Sequence, residues 1–307
     1  MSHEAGTDTA ETTSLQDATK VIKTHCKSAL VQVDVAGLTH TGKVRPNNED
    51  HFLIGRFGRF LETLQTNVPA TDVASRSEEI GYGMVVADGM GGAAAGEFAS
   101  QLAVSTLVKL VLETPDWILR IDDSGFAEEV MWRAKERLEQ VNATLATHAE
   151  NDPTLRGFGT TLTLATSLGS DMFLTSVGDS RAYLLRQNQL YQLTRDHTVA
   201  QGLADRGMIV QHEVASHHMH HVLTKVLGGK AKVAQPDVRK IILYDGDCLL
   251  LCSDGLTEMV PNARIQETLT AGQPAIMAAK SLIDQALAAG GRDNVTVIVA
   301  RYRFPTA

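Results

Sequence analysis

The chain is punctuated by acids placed where apolar runs begin or end. In YGMVVADGMGG (82–92) the run Met84, Val85, Val86, Ala87 is long enough for a buried strand; it meets Asp88, and Gly89, Gly91 and Gly92 follow. Glycines on both sides of Met90 let the backbone turn sharply and let another group come close. The device recurs. CLLLCSDG (248–255) ends on Asp254-Gly255, GRDNVTVIVA (291–300) sets Asp293 before an apolar strand, and GKVRPNNEDHF (42–52) pairs Glu49 with Asp50, four residues after Arg45. A carboxylate at the end of a buried strand is costly unless a cation meets it, and 82–92 holds no Lys or Arg. Singly, each place reads as an ordinary strand end and turn. Together they predict oxygen ligands for a hard cation such as Mg²⁺ or Mn²⁺, with no Cys or His beside them at zinc spacing. Acids around one locus can hold two ions, which suits in-line displacement at phosphorus. Arg45 then has a matching task, because a guanidinium fork fits two phosphoryl oxygens.

The remaining sequence predicts an antiparallel α+β architecture. Apolar residues repeat with helical period over 94–112 and over 127–145, where Trp132 reads as a core or edge residue. A strand-rich stretch follows, with a hairpin turning at 186–188. Helices grouped apart from strands joined by short turns exclude a doubly wound parallel sheet. Residues 56–80 read as an irregular insertion fringing the site, and 241–244 with 248–252 as a strand pair around Asp245-Gly246-Asp247. The polar stretch 1–28 reads as a flexible leader before a single domain over 29–307. No signal pattern and no membrane-length apolar run is expected, so the cytoplasm is the expected compartment and no membrane partner is expected. Cys26, Cys248 and Cys252 are too few for a disulfide framework; the last two share a strand face as small core residues, with a CxxxC metal or redox site as the sharper alternative. A net charge of −8 with no basic stripe argues against a nucleic-acid partner.

Eight ordered motifs resemble those of the bacterial metal-dependent Ser/Thr protein phosphatases (PPM, or protein phosphatase type 2C): VRPNNED (44–50), VVADGMGG (85–92), GFGTTLT (157–163), SVGDSRAYLLR (176–186), LTRDHT (193–198), VLTKVLGG (222–229), LLLCSDGLTEMV (249–260) and GRDNVTVIVARY (291–302). The resemblance implies a four-layer α-β-β-α sandwich of two antiparallel sheets flanked by helix pairs, with the metal site at one edge and a mobile flap over 195–232. By motif position, Asp88 resembles the acid that bridges two Mn²⁺ or Mg²⁺ ions, the Gly89 carbonyl a ligand of the first, and Asp254 and Asp293 ligands of the second. Glu49 and Asp50 resemble acids holding metal-bound waters, Asp50 also as a direct ligand. Asp179 and Arg181 resemble supporting residues. A water bridging the ions would attack phosphoserine or phosphothreonine while Arg45 holds the phosphoryl group. The implied partners are phosphorylated proteins and an opposing bacterial Ser/Thr kinase, with the enzyme a monomer.

Two departures matter. Met90 stands where animal members carry a histidine acid, so the leaving-group proton must come from a metal-bound water or a flap residue. His217, His218, His220 and His221 lie there; a polar flap facing solvent or the site mouth is the bland reading, and zinc lacks a completing Cys or acid. Second, many bacterial members carry an acid before GMGTT for a third ion. Here Leu155-Arg156-Gly157 precede Phe158, and the nearest acid is Asp152. Two rival functions are a catalytically dead binding module, opposed by the intact Asp88, Asp254 and Asp293, and a two-metal nuclease, opposed by the missing basic groove.

Overall fold

The structure is a computed structural model that describes residues 31–69, 71–115, 125–228 and 235–304. The expected leader and Cys26 lie outside the described residues. In chain order the elements are β1 (Gln32–His40), β2 (Asp50–Glu62), β3 (Arg76–Met90), α1 (Ala93–Glu113), α2 (Phe126–Asn151), β4 (Gly159–Thr160), β5 (Leu162–Leu168), β6 (Asp171–Val177), β7 (Arg181–Arg186), β8 (Gln189–Gln192), α3 (Val199–Asp205), β9 (Asp237–Ile242), β10 (Cys248–Cys252), α4 (Asp254–Thr257), α5 (Asn262–Thr270), α6 (Ala275–Ala288) and β11 (Val295–Arg303).

Two antiparallel sheets form, in the orders β1-β11-β10-β7-β8 and β2-β3-β5-β6-β9, with β4 appended to β3. Period-2 alternation builds the layers. Met84 and Val86 of β3 face Leu249, Leu251 and Ile298 across the space between the sheets. Val85 and Ala87, on the other face of β3, meet Ala99, Ala103 and Leu107 of α1 and Leu138 and Val141 of α2. In the opposite sheet Cys248, Leu250 and Cys252 face outward onto Leu269, Ala278 and Leu282 of α5 and α6. The order helices, sheet, sheet, helices is the expected four-layer sandwich. Burial pushes the Cys248 thiol up to about 11 and the Cys252 thiol up to about 12, as core residues would be.

Three local expectations are corrected. Residues 56–80 are irregular only between the strands, in 63–69 and 71–75: 56–62 and 76–80 belong to β2 and β3, which pair without a break from Asp50↔Asp88 to Glu62↔Arg76, so the far end of the paired arms lies about 40 Å from the acid end at about 3.4 Å per residue. Charges at Arg56, Arg59, Glu62 and Glu78 hid the alternation, because β3 has β5 beside it only over Gly81–Val86. Second, Ile241 and Cys248 are not in paired strands. β9 pairs with β6 in one sheet and β10 with β7 and β11 in the other, so the Asp245-Gly246-Asp247 turn carries the chain between sheets. Asp247 anchors it with a two-oxygen bond to Arg186, at 2.9 and 2.6 Å. Third, Trp132 is not a core residue: it is 56% exposed at the edge of α2. The hairpin at 186–188 does form, with Gln187 and Asn188 both left-handed at φ 51° and 61°. Ala95–Glu113 has the length and composition of a membrane span, contrary to the expectation, but its face at Ala95, Ala99, Ala103 and Leu107 packs into the core.

Candidate metal centre

Strand ends from both sheets meet at one edge of the sandwich. Asp88 lies near the end of β3, register partner of Asp50 at the start of β2. Asp254 follows β10 and Asp293 precedes β11, its antiparallel neighbour. Asp179 sits in the turn between β6 and β7. Arg45, Glu49, Asp88, Gly89, Asp179, Asp254, Asp293, His220 and His221 line one cavity of about 760 Å³. Asp50 is buried beneath it, and Arg181 lies off it, its guanidinium on Asp196 at 2.6 and 3.0 Å. His217 and His218 stay outside the wall, their rings 4.4 Å apart. Only the second histidine pair of HHMHH therefore reaches the cavity.

Glycine lets the backbone close up here. A Cβ on Gly89 would sit 2.1 Å from the Gly96 carbonyl oxygen, so β3 and the first turn of α1 touch through backbone. A Cβ on Gly96 would meet the Glu49 carboxylate at 2.1 Å, which places that carboxylate against α1. The Gly89 N–H donates to the Glu49 carbonyl at 3.2 Å and the Ser100 hydroxyl donates to it at 2.5 Å.

Several residues that hold the acids were missed because only acids and the arginine were singled out from their motifs. Thr161 accepts from the Asp88 N–H at 3.0 Å and shares a hydroxyl contact with Ser180 at 2.8 Å. The Ser253 hydroxyl donates to Asp50 Oδ2 at 2.7 Å. Asn294 takes the Glu49 N–H on its Oδ1 and donates to the Thr41 and Asn47 carbonyls, all at 2.8 Å, which fixes the Arg45 loop against β11. Glu258, also unforeseen, lines the cavity, 3.7 Å from His220 Nε2. Each was visible as a polar residue inside a quoted motif, but its partner lay far away in sequence.

The cavity is short of positive charge. Arg45 Nη2 lies 2.6 Å from Asp293 Oδ2, an ion pair at the rim that uses one of five N–H donors. The Asp88 carboxyl is held well above its ordinary range, by burial first and then by Asp50, Asp254, Asp179 and Asp293. Asp254 is raised likewise, by burial and then by Asp179, Glu258 and Asp293. Burial lifts Asp50 to about 6, and burial with Asp196 lifts Asp179 to about 7. Carboxylates that raise one another in this way accept a cation readily. Asp50 Oδ1 is buried with no hydrogen-bond partner among the described residues. Among those residues no three acid, imidazole or thiol side chains form a closed cage for one ion. Acids spread round a cavity fit Mg²⁺ or Mn²⁺, which keep several waters and take one or two carboxylates each, better than zinc with its four protein donors. Asp152, the acid nearest in sequence to Gly157, caps a 3₁₀ turn through the Thr154 N–H at 2.9 Å.

Comparison with known proteins identifies the family. Residues 63–289 match the family model for protein phosphatase 2C. A serine/threonine phosphatase stp of Listeria welshimeri is 34% identical over 261 residues, 85% of this chain and 92% of that one. The crystal structure of the Mycobacterium tuberculosis serine/threonine phosphatase PstP/Ppp superposes with a TM-score of 0.70 at 33% identity, covering 88% of this chain and 99% of that chain. The catalytic domain of PstP in complex with two manganese ions gives a TM-score of 0.69, also at 33% identity, over 89% and 99%.

Proposed function

The chain belongs to the protein phosphatase 2C family of metal-dependent serine/threonine phosphatases, and from that membership we propose a division of labour in its cavity. The domain over 29–307 hydrolyses phosphoserine and phosphothreonine in proteins, opposing a bacterial Ser/Thr kinase in the cytoplasm, with 195–232 as its flap. Asp88, the Gly89 carbonyl, Asp254 and Asp293 hold two Mn²⁺ or Mg²⁺ ions, with Glu49 and Asp50 fixing the waters around them. When bound, the ions supply Lewis acidity, which acidifies water and neutralises phosphoryl oxygens. The protein's own groups do the rest. Arg45, half exposed at the rim, aims its remaining N–H donors at the phosphoryl oxygens and stabilises the charge that grows on them. Thr161, Ser180 and Ser253 hold Asp88 and Asp50 in place. His220 Nδ1 lies 2.7 Å from the His217 carbonyl oxygen and carries the proton of that bond, which leaves Nε2 to exchange protons beside Glu258. On this reading His220, with His221 beside it on the flap, serves the leaving hydroxyl. Asp152, engaged in its own cap, supplies no ligand to a third ion.

The observation that carries this reading is the gathering of Asp88, Asp179, Asp254 and Asp293 from both sheets onto one underneutralised cavity. Phosphate release from a phosphothreonine peptide tests it, with Mn²⁺, with EDTA and with Asp254→Ala. Release that requires the ion and collapses in the variant supports the assignment. A folded wild-type chain that releases none with either ion removes it.

A further inference from the structure

His197 belongs to the LTRDHT motif, lies off the acid cavity and is 8% exposed. It holds both polar groups of one peptide position. The His197 N–H donates to the Gly178 carbonyl at 2.9 Å, and the Gly178 N–H donates to ring Nδ1 at 3.0 Å. A nitrogen that accepts from an amide carries no proton, so the neutral ring carries its hydrogen on Nε2. Nε2 faces Asp237 Oδ2 and Lys225 Nζ, each at 3.3 Å. The His197 carbonyl accepts from the Thr224 N–H at 2.8 Å. Thr224 and Lys225 follow Leu223, which lines the acid cavity three residues after His220.

The other side of the contact leads to the acids. Gly178 directly precedes Asp179 in the cavity wall. Gly178 has φ +102°, and a Cβ there would lie 2.6 Å from Thr161 Cβ, so its backbone rests on Thr161. Thr161 in turn holds Asp88.

We propose that His197 is a positioning residue that registers the flap against the metal centre: its ring and N–H fix Gly178, the residue before Asp179, its carbonyl docks the flap through Thr224, and its Nε2–H donates to Asp237 at the start of β9, which in turn pairs with Lys225 of the flap at 3.5 Å. Gly178 passes the constraint to Thr161 and so to Asp88. An imidazolium carries a proton on Nδ1 and cannot accept from Gly178, so the clamp exists only with a neutral ring. Burial, then Lys225, hold the ring below its ordinary value, while Asp237 and Asp196 act the other way. The inference rests on the phosphatase reading of the cavity and adds to it a residue outside the cavity.

The test uses the full chain with Mn²⁺ alone, by titration calorimetry, and steady-state hydrolysis of a phosphothreonine peptide. The variants are His197→Ala, His197→Asn and Asp237→Asn. Asparagine places its Oδ1 near the former Nδ1 and reaches nothing on the flap side. His197→Ala is expected to weaken Mn²⁺ binding and raise KM, the first by about 10- to 100-fold as for other residues that orient metal-ligating groups. His197→Asn is expected to regain most of the Mn²⁺ affinity while KM stays raised. Asp237→Asn is expected to raise KM alone. Should His197→Ala fail to fold, the other two variants still separate the two halves. Mn²⁺ affinity unchanged in both His197→Ala and His197→Asn overturns the proposal, as does an asparagine variant no better than alanine. A wild-type chain that binds Mn²⁺ yet releases no phosphate overturns the phosphatase reading, and the Mn²⁺ titrations then still decide the clamp.

Discussion

Thr161 holds Asp88 from two directions: its hydroxyl accepts the Asp88 N–H at 3.0 Å, and its own N–H donates to the Asp88 carbonyl at 2.9 Å. The side chain is 2% exposed and also bonds the Ser180 hydroxyl. Thr161→Val keeps the shape and leaves the Asp88 N–H and Ser180 each without that partner, a cost of about 1–3 kcal/mol per buried group. Thr161→Val is expected to lower denaturation stability by that order and to cut kcat by about 10- to 100-fold through misplacement of Asp88. Thr161→Ser should restore both. An active, fully stable valine variant would show that the hydroxyl does not seat Asp88.

Removing Asp254, a proposed metal ligand, should separate stability from activity. Asp254 is raised by burial and by Asp179, Glu258 and Asp293, so in metal-free protein its charge works against folding. Asp254→Asn is expected to melt higher than wild type in EDTA. It is also expected to lose about a thousandfold in kcat/KM, which corresponds to about 4 kcal/mol of transition-state stabilisation. Mn²⁺ should raise the melting temperature of wild type much more than that of the variant. Calorimetric scans with and without Mn²⁺ check both halves.

The acids were legible in the sequence because each sits where an apolar run meets a polar turn, a pattern local to a few residues. The four-layer order was legible for a similar reason, since Met84/Val86 against Val85/Ala87 and Leu249/Leu251 against Cys248/Cys252 alternate within single strands. What failed was long-range. The outer arms of β2 and β3 carry Arg59 opposite Glu79 rather than apolar neighbours, so no strand pattern survives there. Asp245-Gly246-Asp247 has hairpin chemistry and a left-handed Gly246 at φ 83°, but Arg186 and the Tyr302 backbone hold it as a crossing between sheets. The partners of Asp88, Glu49 and Asp50 lie 73, 245 and 203 residues away, beyond any spacing rule.

Metal-free stability should fall as pH rises. Burial lifts Asp50 from 3.8 to about 6, and burial with Asp196 lifts Asp179 from 3.8 to about 7. Folded pKa values above the unfolded ones mean that the folded chain binds more protons across this window. The stabilisation is therefore complete below about pH 4 and is lost as pH rises through 6 and 7. Melting temperatures in EDTA should drop from pH 5 to pH 8, with His51 and His197, both lowered by burial, acting the other way over part of the range. With saturating Mn²⁺ the trend should reverse, because ion binding displaces those protons. A pH slope in EDTA that is the same in Asp50→Asn and Asp179→Asn as in wild type would mean that Asp50 and Asp179 are not raised.

Arg45 and Asp293 are paired at 2.6 Å, so the arginine proposed to grip the phosphoryl group would compete with the proposed metal for one acid. Arg45→Ala frees Asp293 and removes the guanidinium fork. The expected result is a split: Mn²⁺ binds as tightly as in wild type or tighter, while KM for a phosphothreonine peptide rises by about tenfold, the value of one lost charge-assisted bond of about 1.5 kcal/mol. Arg45→Lys should recover little of the KM, because an ammonium cannot span two oxygens as the planar fork does. Mn²⁺ titration beside steady-state kinetics reads both quantities on the same protein. Loss of Mn²⁺ affinity in Arg45→Ala would instead make the Arg45–Asp293 pair a brace that holds the metal acid in place.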